Sequence, residues 1–162
     1  MKNTSAWPTD DIERIICQYG NTLYRLCLIM LKNESDAEDA VQETVIRFYQ
    51  NAPSFESQEH EKAWLIRVAT NQCRDFLRFR ARHPQVDDTY FENIACESSD
   101  SGILDALTAL PDKYKLVLTL YYIEEYRIEE IAKIIGRTSS AVKMRLQKGR
   151  KLLVETYQKE YL

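Results

Sequence analysis

The chain has 162 residues, 44% of them hydrophobic and 29% charged, with a formal net charge of −3, the composition of a folded protein of one ordinary domain or two small ones. No apolar run approaches membrane-spanning length and Met1-Lys-Asn-Thr-Ser-Ala-Trp-Pro lacks a signal-peptide core, which argues against direct membrane insertion and for a cytoplasmic protein. Cys17, Cys27, Cys73 and Cys96 form no CxxC pair and adjoin no histidine cluster, so neither a zinc site nor a disulfide framework is suggested, and Cys17, Cys27 and Cys73 are expected to be buried thiols.

The small net charge hides a segregation. Lys62 to Arg82 holds six cations against Asp75 alone, whereas His83 to Gly102 holds Asp87, Asp88, Glu92, Glu97 and Asp100 with no Lys or Arg. A second basic stretch follows, so the isoelectric point says little about partners.

In chain order, Ile12, Ile15, Ile16, Tyr19, Leu23, Leu26, Cys27 and Met30 recur at helical spacing, predicting one amphipathic helix, or two broken near Gly20-Asn21, with Thr9 as a cap. Ser35 with Glu38 reads as a capping box that opens a helix to about Asn51, burying Ala37, Ala40, Val41, Thr44, Val45 and Phe48. Its other face carries Asp36, Asp39, Gln42, Glu43 and Arg47. Asn51 to His60 is a loop, because Pro53 stops the helix. A third helix is expected to bury Trp64, Leu65, Val68, Ala69, Cys73, Phe76 and Leu77, with Arg67, Asn71, Arg74 and Arg78 in one basic stripe. A basic helix beside a loop bearing Phe55 suits single-stranded nucleic acid, whose bases stack and whose phosphates meet Arg. Arg82 to Ser101 has charge without periodicity and reads as an interdomain linker.

Beyond it, Ile103, Leu104, Leu107 and Leu110 begin a helix that Pro111 ends, and Asp112 to Ile123 forms another. Ile128, Ile131, Ala132 and Ile135 then give way at Gly136 to a second periodic run through Val142, Leu146 and Leu153. Gly136 is suited to a left-handed helix end and Thr138 to capping the next helix, which is the pattern of a helix-turn-helix. From Lys133 to Lys151 every charged residue is Lys or Arg. With Val142 and Leu146 facing inward, Ser140, Lys143, Met144, Gln147 and Lys148 form a stripe suited to a major groove.

The order of these parts resembles bacterial sigma factors of the extracytoplasmic-function group, the minimal sigma-70 relatives. Asp36-Ala-Glu-Asp-Ala-Val-Gln-Glu-Thr-Val-Ile-Arg-Phe-Tyr49 is similar to the family's region 2.2. Ala63-Trp-Leu-Ile-Arg-Val-Ala-Thr-Asn-Gln-Cys-Arg-Asp-Phe-Leu-Arg78 is similar to regions 2.3 and 2.4, and Leu110-Pro-Asp-Lys-Tyr onward to region 4. The resemblance implies an all-α protein of two small helical domains joined by a flexible acidic linker, the second a helix-turn-helix. The expected bounds are 1–82 for region 2, 83–102 for the linker and 103–162 for region 4.

It further implies that Asp36, Asp39, Gln42 and Glu43 dock on the β′ clamp helices of core RNA polymerase. Phe55, Ser57, Lys62, Arg67, Asn71 and Arg74 would meet the non-template strand of the −10 element of promoter DNA, and Ser139, Ser140, Lys143, Met144, Gln147 and Lys148 would read the −35 element. No cofactor, metal or catalysis is expected, and a separate anti-sigma factor would regulate the protein. Tyr126-Arg127-Ile128 departs from the more usual Leu-Ser-Tyr, and Arg137 stands where an aliphatic residue is common. Two rivals remain beside this reading: a stand-alone helix-turn-helix regulator, which leaves the first half unexplained, and a metal-dependent hydrolase built on Asp36, Glu38, Asp39 and Glu43, which lacks partner ligands.

Overall fold

The computed structural model describes residues 9–83 and 101–162. Every regular element among them is helical: α1 (Thr9–Leu31), α2 (Glu34–Asn51), α3 (Gln58–Arg82), α4 (Ser101–Thr108), α5 (Asp112–Leu118), α6 (Ile128–Ile135) and α7 (Ser139–Tyr161). They form two compact units, α1–α3 and α4–α7, each with its own core. Most of the expected acidic linker, with Cys96, lies outside the described residues, and α4 already begins at Ser101, ahead of the expected start at Ile103. No described helix is long and apolar enough to cross a membrane.

In the first unit the three helices pack pairwise around Ile15, Leu23, Leu26 and Met30 of α1, Ala37, Ala40 and Phe48 of α2, and Leu65, Ile66, Ala69 and Cys73 of α3. Each large side chain buried there contributes about 1.5–3 kcal/mol relative to exposure. That gain explains why α1 runs unbroken through Gly20-Asn21: an interior glycine costs about 1 kcal/mol, less than the burial of Tyr19 and Leu23 on either side. Other expectations are corrected. Thr9 is the first residue of α1 and does not precede it as a cap. Asn33, rather than Ser35, caps α2, its Oδ1 accepting from the Asp36 N–H at 2.9 Å.

The buried faces are also narrower than periodicity predicts. Val41, Val45, Trp64, Val68, Phe76 and Leu77 are only half-buried, and Ile16 is exposed. A three-helix unit shields only the line of each helix that faces both neighbours, and flanking apolar positions stay at its rim. Cys17, which directly follows Ile16 on the outer side of α1, is exposed and not the buried thiol expected.

The loop between α2 and α3 is held by aromatic packing. Phe55 stacks on Phe48 at 6.2 Å and meets the edges of Trp64 at 5.8 Å and His60 at 5.4 Å. Ser57 then caps α3, its hydroxyl accepting from the His60 N–H at 3.1 Å.

In the second unit α4, α5 and α6 all pack on α7. Gly149 permits the approach of α5, since a Cβ there would lie 3.2 Å from Leu118 Cδ1 and 3.4 Å from Tyr114 Cβ. Lys115 is buried and ties the turn after α4, its ammonium donating to the Thr108 carbonyl at 3.4 Å and pairing with Asp112 at 3.5 Å. After Leu118 the helix widens into a π-helical stretch, Thr119–Ile123, which delivers the chain to α6.

The helix-turn-helix forms as expected. Gly136 takes φ 68°, and Thr138 Oγ1 accepts from the Ala141 N–H at 3.1 Å. The hydrophobic face of α6 differs from the expected one: Ile131, Ala132 and Ile134 are buried, while Ile128 and Ile135 are half-buried. Nothing lies within 4 Å of a Cβ built on Gly136, so Gly136→Ala isolates the backbone cost of a left-handed residue. Thermal melting is expected to show a loss of about 1–2 kcal/mol; an unchanged melt would mean the turn relaxes to another conformation.

Candidate functional site

Three surfaces gather the chemically distinctive side chains, two on the first unit and one on the second.

On the first unit, Asp39, Gln42, Glu43 and Ile46 recur along α2 at helical steps, and Gln72 and Phe76 face them from α3. Together they line an open groove of about 360 Å³. Glu43 accepts from Arg47 Nε at 3.2 Å. With the Gln72 amide oxygen turned toward it, Arg47 also donates there at 2.8 Å, which tethers α2 to α3 at the groove. Ile46 remains 47% exposed. Asp36 stands apart from these residues. It is engaged by Arg80, whose guanidinium also donates to the Leu31 carbonyl at 2.8 Å, so it locks the end of α3 onto the α1–α2 turn.

Sequence reasoning found the groove's polar residues on α2 and missed Ile46, Gln72 and Phe76. Ile46 carried a signal: it follows Glu43 by three residues on a stripe that is otherwise polar. Gln72 and Phe76 needed the packing of α3 beside α2.

The second surface is the outer face of α3. Arg67, Asn71 and Arg78 are exposed, and Lys62 and Arg74 are half-exposed. Arg78 forms an exposed pair with Asp75, at 3.6 Å. Phe55 and Ser57 sit at the start of this face, Phe55 half-buried in its aromatic cluster and Ser57 exposed as the cap.

The α3 helix is fixed from behind by a polar pin. Glu61 is 7% exposed and accepts two hydrogen bonds from the Arg14 guanidinium, at 2.8 and 2.9 Å, and one from the Tyr19 hydroxyl at 3.1 Å. Hydrogen bonding from Arg14 outweighs desolvation and, with the Tyr19 bond, holds the Glu61 carboxyl below its ordinary range. Burial, then the bond to Glu61, pushes the Tyr19 phenol up.

The third surface is α7. Ser140, Lys143, Met144, Gln147 and Lys148 are all exposed, Met144 to 70%, while Ser139 is half-buried in the first turn and Val142 and Leu146 face the core. No Asp or Glu occurs between Lys133 and Lys151. Among the described residues no group of three or more His, Cys, Asp or Glu side chains converges to hold a metal ion. In particular, Asp36 and Glu43 of the acidic helix point to different guanidinium partners.

A helix-turn-helix with a cationic outer face, carried in one chain with a second helical unit that offers a basic helix and an acidic groove, defines a modular DNA-binding transcription protein. Residues 15–83 match the family Sigma-70 region 2 and residues 101–153 match Sigma-70, region 4. The chain belongs to the sigma-70 family of RNA polymerase sigma factors, in its extracytoplasmic-function group.

Among its relatives, the extracytoplasmic-function sigma factor SigM of Bacillus subtilis is 32% identical over 155 residues, covering 90% of this chain and 94% of its own length. SigV of the same organism is 30% identical over 142 residues, covering 85% and 86%. The fold is similar to that of the sigma factor RpoE solved with the anti-sigma factor NepR from Bartonella quintana, with a TM-score of 0.75 at 22% identity over 93% of this chain and 98% of that one. The protein is therefore an alternative sigma factor, which binds core RNA polymerase and directs it to specific promoters.

Proposed function

We propose that the units divide this work, with residues 1–82 docking on polymerase and gripping the −10 element, residues 83–102 linking, and residues 103–162 reading the −35 element. The observation that carries the reading is the outer face of α7, where five exposed polar, cationic or flexible side chains lie over a stretch without a single acid. A major groove offers acceptors at guanine to Lys and paired donors and acceptors at adenine to Gln, so Lys143 and Gln147 are the residues best equipped to read bases. Ser139, Ser140 and Met144 line the same approach.

On the first unit, Lys62, Arg67, Asn71 and Arg74 meet the non-template strand of the −10 element, and the loop of Phe55 and Ser57 receives an extruded base. Unstacking that base costs a few kcal/mol, which polymerase contacts offset. Asp39, Gln42 and Glu43 carry the dock on the β′ clamp helices, with Ile46 and Phe76 supplying apolar contact. Asp36 serves that dock indirectly, through its hold on Arg80. The same surfaces suit a separate anti-sigma factor, which would act by covering them. The protein works in the cytoplasm, and its role is binding without catalysis.

Run-off transcription with purified core polymerase and a promoter library tests the reading. Lys143→Ala is expected to cost about 1–3 kcal/mol at a matched −35 element and to relax selectivity there. Failure to bind core polymerase, with tight independent binding to a palindromic duplex, would instead identify a stand-alone regulator.

A further inference from the structure

At one edge of the reading face, α7 meets the start of α5 in a second cationic arrangement. Lys113 Nζ lies 5.0 Å and Lys148 Nζ 5.8 Å from the centroid of the Tyr114 ring. Tyr114 is 6% exposed, while both lysines are exposed. Neither ammonium has a carboxylate partner among the described residues, because the neighbouring Asp112 pairs with Lys115 instead. Burial tends to push the Tyr114 phenol up, but the Lys148 and Lys113 ammonium groups at its hydroxyl outweigh that effect and hold it below its ordinary range. The close approach at Gly149 brings the two lysines, 35 positions apart in sequence, to one phenol.

We propose that Lys113, Lys148 and the Tyr114 hydroxyl form a single phosphate clamp for the DNA backbone beside the −35 element, so that Lys148 anchors the duplex and does not read a base. Two like charges within about 6 Å of one ring, neither with a carboxylate partner among the described residues, repel each other, and one phosphate between them turns that repulsion into two attractions. The phenol adds a hydroxyl of fixed position, since its ring is buried and packed against α7 at Gly149. Backbone contacts of this kind set register and carry no sequence information. The inference rests on the proposed assignment of α7 to the −35 duplex, and it divides the stripe: Lys143 and Gln147 face bases, whereas Lys148 turns to the strand edge with Lys113.

The test uses the full chain assembled with core polymerase, on promoters with matched and scrambled −35 elements, over a series of salt concentrations. Lys113→Gln and Lys148→Gln are each expected to weaken promoter binding by the same factor on both promoters. Each should flatten the plot of log affinity against log salt by about one, and the double variant should flatten it no further, because one phosphate is shared. Replacing one flanking phosphate by a neutral methylphosphonate should weaken the unmodified protein and leave the double variant unaffected.

Loss confined to the matched promoter in Lys148→Gln would make it a base reader and overturn the clamp. Additive flattening in the double variant, or identical methylphosphonate scans for both proteins, would also overturn it. If Lys143→Ala weakens binding while the lysine-to-glutamine variants do not, the clamp alone fails. If all three substitutions are silent, α7 does not face DNA and the proposed function falls with it.

Discussion

Glu43→Lys is expected to weaken assembly with core RNA polymerase by about 2–4 kcal/mol, roughly 30- to 900-fold, while the protein remains folded. The two effects separate because of how Glu43 is held. Its ion pair is with Arg47, one helical turn away on the same helix, with side chains 42% and 48% exposed. Such pairs contribute about 0.3–0.5 kcal/mol, and placing Lys beside Arg47 costs a similar amount again. The stability loss therefore stays near 1 kcal/mol, visible as a small drop in melting temperature. At a dock for a basic partner the same substitution sets like charges against each other, which costs several kcal/mol once the groove is covered. Ile46→Ala is the milder companion, since the side chain is 47% exposed and only that part remains to be buried by a partner. It should cost about 1 kcal/mol of affinity. Titration of labelled protein with core polymerase reads both, and wild-type affinity for Glu43→Lys would remove the acidic groove from the interface.

The helix-turn-helix was the most legible part of the chain because its determinants are local. Gly136 and Thr138 act on backbone groups within four residues, and most of the α6 and α7 cores follow from spacing along a single helix. The same locality made the cation stripe readable without a structure. Where a choice of partner was needed, reading by residue type went astray. Asn33 and Ser35 are both competent caps, and only the course of the chain out of α1 decides for Asn33. Asp36 looked like one more acid on an exposed face, but Arg80 reaches it from 44 positions along the sequence.

The groove and the clamp were half legible for the same reason. Asp39, Gln42 and Glu43 lie on one helix, as a stripe reading requires, but the apolar floor needs Phe76 from α3. Lys148 was read as a member of the base-reading stripe, and nothing in α7 reveals that Tyr114 and Lys113 stand beside it. Each contact that redirects a side chain to a different job crosses between helices. Periodicity on one helix does not contain that information.

Glu61→Ala is expected to destabilise the first unit by about 1–3 kcal/mol, a large effect on folding for an acid in the first turn of α3, next to the exposed loop. The position belongs to the buried ridge of α3, one turn before Leu65, and its carboxylate is the shared acceptor for Arg14 and Tyr19. Removing it leaves the buried phenol without its acceptor. The guanidinium suffers less, since Arg14 is 40% exposed and water can replace part of its partner. The stabilisation also depends on pH. The Glu61 carboxyl is depressed in the folded protein relative to its ordinary 4.5, so its contribution is complete above that value and is lost as pH falls through the lower folded one. The melting temperatures of the wild type and Glu61→Gln should therefore differ most near neutrality and converge in acid below 4.5. A difference that persists undiminished in acid would assign the effect to packing instead of charge. Since the pin seats the half of α3 that carries Lys62 and Arg67, the same variant should also lose promoter melting at temperatures where its second unit remains folded.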